Sequence, residues 1–133
     1  MRPAQLLTWS PEWSWRRFHR NHPDHRAAGE AALSAVFPDA RNPFAHPELL
    51  NEEGLKPWEV GEVWLMGGPS PNHYVDITDV FDRKLAALRA HVSQTAHRDR
   101  LDEEMRERLA PNSQAAGLAA ERLVEAFQVA TFA

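Results

Sequence analysis

His22 and His25, separated by Pro23 and Asp24, are the residues of this sequence whose type and spacing best suit chemistry. An imidazole can bind a metal through a neutral ring nitrogen or carry a proton near neutral pH. The pair lies where a polar loop gives way to helical periodicity. Pro23 fixes the approach of the chain, and Asp24 is placed either to cap the helix or to orient a neighbour. Both rings can therefore face one point. The positive end of a helix dipole also favours the neutral imidazole that a metal requires, which makes His25 a sound ligand candidate. A catalytic zinc takes three protein ligands and an open water position, and this pair supplies at most two. On spacing alone, such a motif is more often a surface loop or a satisfied histidine pair than a metal site.

Other side chains near the pair have two readings each. Trp13, Trp15 and Phe18 could stack on a sugar face or pack in a core. His19, three residues before His22, is a metal helper or an exposed loop histidine. Arg16-Arg17-Phe18-His19-Arg20, the one dense basic cluster, is a solvated loop or an anion site for phosphate or carboxylate. His91-Val92-Ser93-Gln94 reads as a helix C-terminus, with His91 favouring the dipole. Asp76 and Asp79 flank a strand end, where capping by Asp79 competes with a substrate-facing role.

The absence of cysteine excludes disulfides and thiolate zinc sites, so any metal falls to His, Asp or Glu, and it suits a reducing compartment. A net charge of −4 with scattered basic residues argues against a large nucleic-acid footprint. The stretch from Met1 to Trp9 lacks the long apolar run of a signal peptide or membrane span, so a cytoplasmic location is expected. With 43% hydrophobic and 26% charged residues, residues 1–133 are expected to form a single globular domain.

The elements that must position the histidines read as follows. Gln5 to Trp9 is a short strand ended by Ser10-Pro11. Asp24 to Val36 is a helix whose Ala28, Ala32 and Ala35 pack closely on a sheet, with Asp24 as its cap. Phe37 to Trp58 is irregular, with a helical turn at Leu49-Leu50. Glu62 to Met66 and His73 to Thr78 are strands. Thr78 or Asp79 caps a helix with the stripe Phe81, Leu85, Leu88 and Val92. A charged helix then carries Leu101, Met105 and Leu109 on one side, with Asp102–Arg106 and Glu104–Arg108 pairs, and stops at Pro111-Asn112-Ser113. Ala116, Ala120, Leu123, Phe127 and Ala130 predict a last amphipathic helix. Strands interspersed with helices make the class α/β.

The ordered set Asn21-His22-Pro23-Asp24-His25-Arg26-Ala27-Ala28-Gly29, Tyr74-Val75-Asp76-Ile77-Thr78-Asp79, the helix end Lys84 to Gln94, and Ala120-Glu121 with Glu125-Ala126-Phe127 resembles the second half of the LmbE-like (PIG-L) zinc N-deacetylase family. The resemblance runs from about Leu6 onward. It implies a Rossmann-like, three-layer α/β fold and zinc-dependent removal of an acetyl group from an N-acetylglucosamine-type conjugate, with another divalent metal as an alternative to zinc. By position, it implies His25 as a metal ligand, His22 as a catalytic group that stabilises the tetrahedral intermediate, and Asp24 as a residue supporting them.

The family's earlier Ala-His-Pro-Asp-Asp motif, which would bring two further ligands and a general base, has no counterpart in this sequence. His22-Pro23-Asp24 follows polar residues in place of a buried strand, and His46-Pro47-Glu48 lacks the acids. The sheet is accordingly expected to be incomplete, without the family's N-terminal strands and helix, and the chain to be a distal piece inactive alone. A degenerate, non-catalytic ligand-binding or interaction module is the alternative, and a small α/β domain with merely structural histidines is a third. An open sheet edge predicts association, with a second copy or a missing N-terminal half.

Overall fold

The computed structural model describes residues 2–15, 18 and 21–132. The class is mixed α/β. Strands β1 (Gln5–Trp9), β2 (Glu62–Met66), β3 (His73–Asp76) and β4 (Val124–Thr131) form one open sheet in the order β1-β2-β4-β3. The helices are α1 (Pro23–Val36), α2 (Pro47–Asn51), α3 (Phe81–Arg89), α4 (Val92–Thr95) and α5 (Leu101–Ala115). The chain gathers into two compact units, residues 1–73 with 127–133, and residues 74–126.

In the first unit β1 and β2 run parallel, Gln5 opposite Glu62 and Trp9 opposite Met66, so α1 belongs to the crossover between them. β4 runs antiparallel to β2, with Met66 opposite Phe127. Residues alternate between the two faces of a strand, and Val63 and Leu65 join Val36 and Val60 in a core on which Leu6, Leu33, Trp58 and Phe132 pack. Trp58 donates its indole N–H to the Pro3 carbonyl at 2.8 Å, which keeps a polar atom satisfied beside that core. The packing face of α1 falls on Gly29, Leu33 and Val36, with Ala28 and Ala35 exposed. The expected alanine face is therefore displaced by one residue, because Leu33 and Val36 bury more apolar surface than alanines can.

The core of the second unit is Ile77, Phe81, Leu85, Leu101, Met105, Leu109 and Leu123, with Val75 and Leu88 against it. The stripes expected on α3 and α5 are thus present, except that Val92 is exposed and belongs to the separate turn α4. Arg106 lies over the Phe81 ring at 4.4 Å and pairs with Asp102 at 2.6 Å, as the i,i+4 spacing predicts. Glu104 pairs with Arg98 and not with Arg108.

Four further expectations are corrected. β3 ends at Asp76, whose carboxylate accepts from the Thr78 N–H at 3.0 Å and the Thr78 hydroxyl at 2.7 Å, turning the chain two residues early. Neither Thr78 nor Asp79 caps α3. Val80 occupies that position without a side-chain bond, and the Thr78 hydroxyl accepts from the Leu123 N–H instead. α5 continues through Pro111 to Ala115: Asn112 donates to the Val124 carbonyl, a tertiary anchor, and the buried Ser113 hydroxyl donates to the Ala110 carbonyl within the helix, which together offset one lost helix bond.

The last element is a strand and not a helix. Gly117, at φ +69, terminates α5 with Leu118 N–H bonded to the Ser113 carbonyl, a left-handed ending that glycine adopts at no steric cost. Leu123, Phe127 and Ala130 satisfy helical spacing, but Val124, Phe127 and Val129 are of types that favour a pleat, and pairing to β2 decides the outcome.

Candidate active site

The candidate site of the first unit lies at the carboxyl end of β1, where α1 begins. In open sheets with parallel strands, ligands bind outside the carboxyl ends of those strands. Ser10 closes the strand: its N–H donates to the Met66 carbonyl at 2.9 Å, and its hydroxyl accepts from the Glu12 N–H at 3.2 Å. The chain is thereby turned into the loop that carries Trp13 and Trp15. Asn21 closes that loop, accepting from the Ser14 N–H at 2.9 Å and donating to the Ser14 and Phe18 carbonyls at 3.0 Å each.

α1 starts at Pro23, and its cap is His22, not Asp24. The Nδ1 of His22 accepts from the Asp24 N–H at 3.3 Å, and the Asp24 carboxylate lies 3.6 Å from the same nitrogen. An accepting Nδ1 assigns the ring proton of neutral His22 to Nε2. Asp24 thus works on His22 through its backbone while its carboxylate stays exposed.

His25, on the first turn of α1, stacks face to face on Trp9, with centroids 4.1 Å apart and planes within 3°. Its ring lies 5.7 Å from that of His22. The strand therefore brings the two rings and the helix start together through Trp9. One turn further along α1, Gly29 lets the helix touch the strand: a Cβ there would lie 2.2 Å from the Trp9 carbonyl oxygen. Sequence reasoning missed both Trp9 and Gly29. The usable signal was a glycine at the i+4 position from His25 inside an otherwise good helix.

Among the described residues, no three His, Asp or Glu side chains come together in a metal-binding array. The two imidazoles amount to part of the donor set that a catalytic zinc needs, so no chemical step can be derived through a metal here. His46 pairs with Glu48 at 3.6 Å as a local contact. Arg16, Arg17, His19 and Arg20 lie outside the described residues.

In the second unit His91 is exposed, and its backbone carbonyl receives the Gln94 and Thr95 N–H groups at the start of α4, so it opens a turn instead of closing α3. Asp76 is bound by Thr78 and then by Arg122 at 2.6 Å; these hydrogen bonds lower its pKa to about 2 and commit it to structure. An open hollow of about 360 Å³ is lined by Ile77, Val80, Arg83, Lys84 and Glu125, and the Lys84–Glu125 ion pair satisfies two of its three charged groups. No helix among the described residues is long and apolar enough to cross a membrane.

No family model matches the chain. It is 38% identical over 76 residues to the diacetylchitobiose deacetylase of Thermococcus kodakarensis, covering 57% of this chain and 28% of that protein. It is 36% identical over 97 residues to the probable N-acetyl-alpha-D-glucosaminyl L-malate deacetylase 2 of Bacillus cereus, covering 70% of this chain and 36% of that protein. The structure resembles the N,N′-diacetylchitobiose deacetylase from Pyrococcus horikoshii in complex with its inhibitor MPG, with a TM-score of 0.78 and 27% identity, over 97% of this chain and 46% of that one. The chain thus spans about a third of the length of the curated relatives it matches. Its homologues are deacetylases of the LmbE-like (PIG-L) group, matched over part of their length.

Proposed function

We propose that residues 1–133 form a single domain, the distal part of an LmbE-like (PIG-L), Rossmann-like N-deacetylase that hydrolyses the acetamide of an N-acetylglucosamine-type conjugate. One observation carries this reading: His22 and His25 stand together at the start of α1, at the carboxyl end of β1, in a chain homologous to deacetylases named for N-acetylated sugars. His25 is the proposed ligand to zinc or another divalent metal, and Trp9 fixes its ring. His22 is the proposed catalytic group, and Asp24 the residue that sets its tautomer.

In amide hydrolysis, water adds to the carbonyl, negative charge develops on oxygen, and the C–N bond then breaks to give acetate and a free amine. With Nδ1 held by the Asp24 N–H, the Nε2–H of His22 is the donor available to that oxygen. A bound metal would supply the activated water in such a site. This sequence assigns neither the remaining ligands nor the base, so negligible turnover is expected from residues 1–133 alone. The lack of cysteine supports a cytoplasmic setting. Leu7, 58% exposed on β1, supports association with a second copy or with a complementary N-terminal half.

Zinc titration by calorimetry of the wild-type chain and of His25→Ala tests the assignment. Weak binding that His25→Ala abolishes is expected, and equal binding in both would remove His25 as a ligand. Amine release from an N-acetylglucosamine conjugate by the purified 133-residue chain would overturn the expected inactivity. A second reading, a non-catalytic ligand-binding module, is favoured by the absence of a third metal donor among the described residues. It predicts saccharide binding that is indifferent to zinc and to His25→Ala.

A further inference from the structure

Three aromatic rings in the loop before α1 have no part in the chemistry above. Trp13 and Trp15 lie 5.5 Å apart, Trp13 and Phe18 5.4 Å, and Trp15 and Phe18 6.2 Å, with planes inclined by only 15°, 10° and 19°. They are 38%, 75% and 59% exposed, which removes core packing as their explanation. Three rings of common orientation in water carry a hydration cost that a ligand with a flat apolar face would relieve.

Trp13 and the backbone of Phe18 are tied to neighbouring residues before any ligand arrives. Arg26 lies over Trp13 at 4.0 Å while its Nε donates to the Pro11 carbonyl at 2.9 Å, tying the ring to the first turn of α1. The Arg26 N–H in turn donates to the His22 carbonyl at 3.2 Å. Asn21 binds the backbone of both Ser14 and Phe18. Trp13, Ser14 and Phe18 are thus each bound to residues that flank His22 and His25. Such preorganisation lowers the ordering cost of binding.

We propose that Trp13, Trp15 and Phe18 form a stacking platform for a pyranose ring, which holds a saccharide beside His22 and His25. A pyranose offers a face of axial C–H groups to an aromatic plane and a rim of hydroxyls to polar neighbours, and the exposed Glu12, His22 and Asp24 supply such neighbours. An apolar protein partner would find the same rings bordered by charge. The choice of saccharide rests on the deacetylase reading, but the platform itself needs no metal and no turnover.

The test is an NMR titration of the 133-residue chain with N,N′-diacetylchitobiose in EDTA. Wild type is expected to show saturable shifts. Trp15→Ala and Phe18→Ala should each bind about tenfold more weakly, while Trp15→Phe, which keeps a flat ring, should retain most of the affinity. Circular dichroism checks that each variant is folded. No binding by folded wild type, or equal binding by Trp15→Ala, overturns the platform. So does a change in sedimentation mass for Trp15→Ala without a change in saccharide affinity, which would make the surface a contact between copies. Loss of zinc chemistry at His25 would leave the platform result untouched, so the two readings fail separately.

Discussion

Replacing Gly29 with alanine adds one methyl group at the point where α1 touches β1. The new Cβ would lie 2.2 Å from the Trp9 carbonyl oxygen and 3.1 Å from both the Trp9 carbonyl carbon and the Pro11 nitrogen. Ordinary contact begins near 3.4 Å, so the helix must retreat by about 1.2 Å. The obstacle is backbone, which cannot rotate away as a side chain can. Overpacking of a fitted site costs about 1–3 kcal/mol, and a rigid obstacle places this case near the upper end, about 3 kcal/mol. Alanine returns about 1 kcal/mol through its higher helix propensity. The net expectation is a loss of about 2 kcal/mol, equivalent to a fall in Tm of about 8 °C for a chain of this size, or about 1 M in the urea midpoint. Urea unfolding followed by circular dichroism measures the loss. The ring-current shift of the His25 Cε1–H, produced by Trp9 at 4.1 Å, reports whether the stack opens. A Gly29→Ala protein as stable as wild type with an unchanged His25 shift would refute the close approach and the helix placement drawn from it.

Two further outcomes concern the second unit. Leu101 is 2% exposed at the centre of its core, so Leu101→Ala should cost about 2–5 kcal/mol in chemical denaturation, and a loss below 1 kcal/mol would contradict that burial. The pKa of Asp76 is depressed to about 2, first by the Thr78 hydroxyl, so the carboxylate's contribution is complete above the ordinary value of 3.8 and is lost as pH falls toward 2. Asp76→Asn should flatten the dependence of Tm on pH across that window, and an unchanged slope would show that Asp76 is not held as described.

The histidine pair and its neighbours were legible because they are adjacent in sequence. Asn21, His22 and His25 share one short stretch, and the burial on α3 and α5 follows a 3.6-residue period that a single helix imposes on itself. The same kind of reasoning failed at Val124–Thr131, where Leu123, Phe127 and Ala130 satisfy helical spacing. No local property separates the two outcomes there, since the backbone bonds of a strand are made by a partner more than 60 residues away, with Met66 opposite Phe127 and Glu62 opposite Thr131. Pro111 misled for a related reason: its local penalty is real, but the bond from Asn112 to the Val124 carbonyl on β4 helps to offset it. At the site, residue type pointed to the imidazoles as the reactive groups. Which group caps α1, which ring His25 rests on, and why residue 29 carries no side chain depend on β1 meeting α1 across the intervening loop. Sequence alone thus determined the candidate donors and the helical periods. Only the tertiary structure decided how they face one another, because those distances are set by packing between segments remote along the chain.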